Sequence, residues 1–256
     1  MVHLSFRFSR NKVYGQCFFS DLKADFPPHF HNYYTLGMLL AGCREIKIGK
    51  ESRRIYPFSP VIINPGDVHS CRQASLEATI WISFTFPAAS IFKIFHDKAR
   101  FANWPSQSRA ERLAGILTHW ATMPSAWNLL EFFDILSPEK DLKTANQKQG
   151  AFAQEAMRSE EWEAFCQLAN RRGVNKYAFI RDFKKTMHIT PYGYFENLRL
   201  LRACHFLEQG KALARCAQEA GYCDQSHLNR HFVKYMGFTP GIFQKAIKDL
   251  QSGINE

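Results

Sequence analysis

Within the last hundred residues the chain repeats itself. Phe179, Arg181, Phe183, Lys185, Thr190 and Pro191 recur 49 positions later as Leu228, Arg230, Phe232, Lys234, Thr239 and Pro240. Upstream, Leu168-Ala169 and Gly173 recur as Cys216-Ala217 and Gly221 at an offset of 48, so the second copy carries one extra residue after its glycine. One small unit has been built twice. Two such units so close together suit a periodic partner, and duplex DNA is periodic.

Each copy reads as two short helices joined by a turn. In the first, Trp162, Phe165, Leu168 and Ala169 form an apolar stripe at helical spacing. Gly173 supplies the positive φ of a tight turn, and Asn175 is placed to cap the second helix of the pair. That second helix is expected to bury Phe179 and Phe183 while Lys176, Tyr177, Ile180, Arg181 and Lys184 face outward. In the second copy Ala217 and Ala220 precede Gly221, Asp224 caps, and Leu228, Phe232 and Tyr235 form the buried stripe. Its outward residues are Gln225, Ser226, Asn229 and Arg230. These residue types match base edges and phosphates: arginine donates two hydrogen bonds to guanine, glutamine pairs with adenine, and serine or asparagine serves either target. A lone arginine on a helix is usually just solvated, but the same arginine at the same offset in both copies favours a shared task.

Between the copies, Tyr194, Leu198, Leu201, Ala203, Cys204 and Leu207 form an apolar stripe ending at Gly210. A helix from Tyr192 to Glu208 would be about 26 Å long at ~1.5 Å per residue. That length can separate two recognition helices by roughly one DNA turn, ~34 Å.

The run Gly221-Tyr-Cys-Asp-Gln-Ser-His-Leu-Asn-Arg-His-Phe-Val-Lys-Tyr-Met-Gly-Phe-Thr-Pro240 resembles the signature of the AraC/XylS family of bacterial transcription regulators. Leu198-Arg-Leu-Leu-Arg-Ala203 resembles that family's connecting helix, and together the matches span about residues 160 to 246. The resemblance implies two helix-turn-helix modules reading an asymmetric DNA site. It places Lys176, Tyr177, Ile180 and Arg181 at the first DNA-facing surface and Gln225, Ser226, Asn229 and Arg230 at the second. Ile180 departs from the polar residue often found at its position, and a thymine methyl would be its apolar contact.

Charge and composition agree with this reading. The 256-residue chain carries a formal charge of +10 with 46% hydrophobic residues, which suits globular domains and an anionic partner and excludes a disordered class. The excess is shared evenly between the parts before and after Met157, so motif locates the DNA-binding half better than charge does. The first ten residues lack the apolar core of a signal peptide, and the stretch from Tyr33 to Gly42 is too short to span a bilayer, so a cytoplasmic location is expected. Seven cysteines, with no C-x-x-C pair, suggest buried reduced thiols rather than a disulfide framework or zinc ribbon.

The N-terminal region has a different texture. Apolar runs at Tyr33 to Leu40, Arg44 to Ile48, Val61 to Ile63 and Ala78 to Phe86 are separated by Gly, Pro, Asn and Asp, the pattern of a β-sandwich or barrel. Asn64-Pro65-Gly66-Asp67 reads as a turn. After Pro87 the period becomes helical, at Ile91 to Phe95, Leu113 to Trp120 and Leu129 to Leu136. Such helices commonly mediate self-association, so a homodimer is expected. The resulting fold class is two-domain α+β: a cupin-like β-barrel with helices over residues 1–136, a linker over 137–157, and an all-α double helix-turn-helix domain over 158–256.

One constellation in the β-region carries chemistry. His29 and His31 alternate along a predicted strand, and Pro65-Gly66-Asp67-Val68-His69 brings a third imidazole near them, an arrangement similar to the two motifs of cupin barrels. Metal-binding cupins follow H-x-H with a glutamate, whereas this chain reads Asn32-Tyr33-Tyr34-Thr35. The expectation is therefore no metal and no cofactor, with His29, His31, Tyr33, Thr35, His69 and Trp81 lining an effector pocket. Similarly, His227 and His231 lie near Cys216 and Cys223, but the cysteines are spaced wrongly for a zinc knuckle, and phosphate contact or exposure is the expected role of the histidines. No nucleophile elbow, phosphate-cradling loop or paired carboxylates point to catalysis. The reading is a non-enzymatic, effector-responsive activator whose partners are double-stranded DNA, a small molecule, RNA polymerase and a second copy of itself. Its alternatives are a cupin-type metalloenzyme with a nucleic-acid tether, and a regulator whose β-domain only dimerises.

Overall fold

The computed structural model describes residues 2–7, 14–22, 25–77, 79–87, 100–122, 135, 167, 173 and 175–252. In the N-terminal part, β1 (Val2–Arg7), β2 (Tyr14–Leu22), β9 (Thr79–Pro87), β4 (Tyr33–Ala41) and β7 (Val61–Ile63) form one sheet in that order. The strands β3 (Phe26–His29), β8 (His69–Gln73), β5 (Arg44–Ile48) and β6 (Glu51–Ile55) form a second. Every pairing is antiparallel. The four expected strands are present as β4, β5, β7 and β9. β6 and β8 are too polar to announce themselves; β6 exposes four of its five residues at a sheet edge, where charge discourages pairing with another chain. β3 contains Pro27 and Pro28, which an edge strand tolerates because its outer side makes no ladder bonds.

Leu39, Ile46, Ile48, Ile55, Val61 and Ile63 fill the space between the sheets, and Trp81 packs on them. Gly37 makes the indole's position possible: a Cβ there would lie 1.9 Å from Trp81 Cζ2. Trp81 thus packs beside Gly37, on the face of the sheet that also carries Tyr33 and Thr35. The first helix, α1 (Gln107–Thr122), buries Leu113 and Leu117 as its spacing requires. The helical stretches expected at Ile91 to Phe95 and Leu129 to Leu136 lie outside the described residues, apart from the buried Ile135.

The C-terminal part is helical: α2 (Lys176–Met187), α3 (Pro191–Glu208), α4 (Leu213–Glu219), α5 (Gln225–Met236) and α6 (Pro240–Ser252). α3 is the shared wall of two cores. Its Tyr194 and Phe195 join Phe179, Phe183, Met187 and Ile189, while its Leu200, Ala203 and Leu207 join Cys216, Ala217, Leu228, Phe232 and Phe243. Each large apolar side chain buried this way stabilises the fold by about 1.5–3 kcal/mol. Because both cores use one continuous helix, α2 and α5 are set relative to each other by its length of 18 residues. The helix starts at Pro191, one residue before the expected start. Leu198, Leu201 and Cys204 are only partly buried, and Phe195, Glu196, Asn197 and Leu200 take the inner positions instead. The helix expected around Trp162 to Ala169 and the linker 137–157 lie outside the described residues.

The sequence repeat is a repeat of helix ends. Asn175 caps α2 by accepting from Tyr177 N, and Asp224, 49 positions on, caps α5 by accepting from His227 N. Thr190 with Pro191 opens α3, and Thr239 with Pro240 opens α6, each threonine hydroxyl accepting a main-chain N–H three residues ahead. α5 closes on Gly237 at φ 78°, and α2 closes on His188 at φ 60°. Gly173 and Gly221 both adopt the positive φ expected of the turn glycines, 60° and 84°.

Candidate functional site

Two helix faces and one group of imidazoles hold the residues singled out by sequence. On α5, Leu228, Phe232 and Tyr235 are buried, and Gln225, Ser226, Asn229 and Arg230 are exposed on the opposite side. On α2, Phe179 and Phe183 are buried and Lys176, Tyr177, Arg181 and Lys184 are exposed, with Tyr177 79% accessible. Ile180 differs from its expected outward position. It is partly buried against the core of Phe179, Phe183 and Tyr194, so its helix uses it as a flank.

The imidazoles are brought together by a different route from the one expected. His29 ends β3 and His31 lies in the loop before β4, so they do not share a strand. His69 pairs with His29 across the β3–β8 ladder and with Ile48 across β5–β8, which puts it on the sheet's inner face. Ring centroids are 4.1 Å apart for His29 and His69 and 5.0 Å for His31 and His69. Tyr33 stacks on His31 at 4.1 Å, and Thr35 Oγ1 lies 3.2 Å from His31 Nε2. Five of the six expected pocket residues therefore form one cluster.

The turn from Asn64 to Asp67 buttresses this cluster. Gly66 N donates to His31 O at 2.9 Å, and Asp67 O receives His69 Nδ1 at 2.9 Å. The Asp67 carboxylate is itself fixed by Arg100 at 2.6 Å, Asn103 at 2.7 Å and Asn64 at 3.1 Å. His29 Nδ1 lies 2.8 Å from Pro27 O, and His31 Nδ1 lies 2.7 Å from Tyr33 O. Carbonyls only accept, so Nδ1 carries the proton in all three rings and Nε2 keeps its lone pair. Burial, reinforced by repulsion between neighbouring imidazoles, lowers each of the three pKa values from 6.5 to about 3. The cluster is thus neutral near pH 7 and rich in acceptors.

Sequence reasoning missed what this cluster touches. His29 meets Tyr235 of α5 at a ring separation of 6.0 Å, and Phe30 stacks on Tyr194 of α3 at 5.2 Å. Asn197 of α3 accepts from Phe30 N at 2.7 Å and donates to Phe30 O at 2.8 Å. The loop carrying the histidines is therefore clamped to the helix that joins the two repeat units. Glu196, beside Asn197, is also buried, against Arg199, His231 and the turn of Tyr222. His227 and His231 are half-buried on that flank, where their expected role was phosphate contact or exposure. A polar pair inside an otherwise apolar stripe leaves no periodic signal; its partners lie in other elements.

Among known proteins, a helix-turn-helix domain family model matches residues 168–246. An uncharacterized HTH-type transcriptional regulator of Bacillus subtilis, YbfI, is 25% identical over 238 residues, covering 82% of this chain and 84% of the relative. Two solved structures of ToxT from Vibrio cholerae are similar in fold. That from O395 has a TM-score of 0.51 at 11% identity, covering 92% of this chain and 98% of that one. The unsaturated-fatty-acid-bound form has a TM-score of 0.50 at 11% identity, covering 91% and 94%. The chain carries an AraC-type helix-turn-helix domain at its C-terminal end, joined to a cupin-like pair of β-sheets.

Proposed function

We propose that this AraC-type regulator reads an asymmetric DNA site with α2 and α5 and adjusts that reading to a small molecule held by its β-domain. The observation that carries the proposal is the pair of matched helices, capped at corresponding positions and with exposed polar faces, fixed to a common helix that is also clamped to the histidine loop. In the first unit Arg181 is the base-reading group, Tyr177 supplies edge or stacking contacts, and Lys176 and Lys184 neutralise phosphates. In the second unit Gln225, Ser226, Asn229 and Arg230 supply hydrogen bonds. Ile180 offers only its exposed edge, suited to a thymine methyl.

The effector site is assigned to His29, His31, Tyr33, Thr35 and His69. Neutral imidazoles with Nε2 lone pairs, that of His31 shared with the Thr35 hydroxyl, favour a ligand bearing hydrogen-bond donors. Such a ligand would act where His29 meets Tyr235, so its preference between two placements of α5 becomes a change in DNA affinity. ToxT, solved with an unsaturated fatty acid bound, offers a precedent for a small molecule in this architecture. Self-association through the helices beside the β-domain, contact with RNA polymerase, activation as the outcome and a cytoplasmic setting complete the proposal. No helix among the described residues is long and apolar enough to cross a membrane.

Selecting binding sites from random and genomic DNA, with and without candidate metabolites, tests the proposal. Enrichment of one asymmetric site whose occupancy shifts with a metabolite is expected. Failure to enrich any sequence would overturn the DNA reading, and a site indifferent to every ligand that raises the melting temperature would overturn the effector coupling.

A further inference from the structure

On the flank of α5 turned away from its exposed polar face, three donors from two elements come together. Glu196 of α3 is 1% exposed, and His227 and His231 stand one helical turn apart on α5. One ligand atom from each lies within 4.8 Å of the others. Glu196 Oε1 accepts from Arg199 at 3.0 Å, leaving Oε2 directed at His231 Nδ1, 2.9 Å away. Those two atoms are not aligned as a hydrogen bond, and both are buried without one. Tyr222 borders the same spot, its ring 5.2 Å from His227 and 5.7 Å from His231, and its buried hydroxyl also has no hydrogen-bond partner. Three buried polar atoms without a hydrogen bond converge on one point, where a bound group would satisfy them.

We propose that Glu196, His227 and His231 bind a divalent transition-metal ion of the zinc class, which fastens the second recognition helix to the connecting helix. A carboxylate with two imidazoles is a donor set that suits Zn2+ or Co2+ and leaves a fourth position for water, to which the Tyr222 hydroxyl can hydrogen-bond. Tetrahedral bonds of about 2.0–2.2 Å set ligand atoms roughly 3.4 Å apart, so Glu196 Oε2 and His231 Nδ1 would part slightly from 2.9 Å while the more distant donors, within 4.8 Å, close by imidazole rotation. Gln225, Ser226, Asn229 and Arg230 project from the other side of α5, so the ion leaves them accessible. The two nearby cysteines, soft donors in their own right, take no part: Cys216 is buried in the apolar core and Cys223 is exposed.

The test is metal uptake by the purified full chain, read without DNA so that it stands apart from the DNA-binding assignment. After chelation and desalting, Co2+ is titrated while visible d–d absorption is followed, and Zn2+ is titrated by calorimetry with metal analysis of the product. One equivalent is expected, with a rise in melting temperature. His227→Ala, at a half-exposed position that should not disturb folding, and Glu196→Gln should both lose uptake, whereas His29→Ala should retain it. Absence of stoichiometric uptake by the unaltered chain would overturn the proposal. So would uptake unchanged in His227→Ala, or abolished by His29→Ala while both α5 histidines remain.

Discussion

Asn197 is fully buried, yet it both donates to and accepts from Phe30, 167 positions away in sequence. Replacing it with alanine would strand a main-chain N–H and a carbonyl, so Asn197→Ala is expected to lower unfolding free energy by about 1–3 kcal/mol in urea titration. A loss near zero would mean that the clamp is not formed in solution. At the end of α2, His188 occupies the left-handed conformation that Gly237 occupies in the second copy. His188→Gly is therefore expected to raise stability, by roughly 0.5–1 kcal/mol, because only glycine is free of the Cβ strain at that φ. The buried imidazoles make stability depend on pH. Their folded pKa values of about 3 lie below the ordinary 6.5, so the unfolded chain takes up protons first as pH falls. Their contribution is complete above pH 6.5 and declines as pH drops from 6.5 towards 3. Urea midpoints between pH 7.5 and 5 should fall, and should fall less steeply in His69→Gln; parallel slopes would contradict the neutral cluster.

Among the elements, α2 and α5 offer different exposed faces to the DNA proposed for them, although their N-terminal caps correspond. α5 presents Gln225, Ser226, Asn229 and Arg230, whereas α2 presents cations, a tyrosine and the flank of Ile180. Lys184→Ala is accordingly expected to weaken all sequences about equally and reduce the salt dependence of binding by about one counterion. A sequence-selective loss would move Lys184 from phosphate to base. These helices were legible because caps, turn glycines and buried stripes are local: Asn175, Asp224, Gly173 and Gly221 act on residues a few positions away. β4, β5, β7 and β9 were legible for the same reason. What stayed hidden depends on distant partners. Glu196 and Asn197 sit where a stripe of leucines was expected, and nothing near them in sequence reveals Phe30 or His231. The strand expected to carry both His29 and His31 ends at His29, and the contact of Trp81 with Gly37 leaves no trace in the sequence because glycine carries no side chain.

Across the whole molecule, the histidine cluster, the connecting helix and the second recognition helix form one continuous packed path. His69 meets His29, His29 meets Tyr235, and Tyr235 meets His231 at 6.0 Å on α5. A ligand at the proposed effector site would therefore bear directly on the helix proposed to read DNA. Its effect on affinity is limited to its preference between two placements of that helix. Whether two equivalent units read different halves of one site is decided by measuring affinity on the best selected duplex and on two derivatives, each with one half scrambled. Arg181→Ala and Arg230→Ala are each expected to cost about 1–3 kcal/mol on the intact site. Each should also become indifferent to scrambling of a different half. Unchanged affinity in both variants, or loss of discrimination at the same half, would contradict a divided reading of the site.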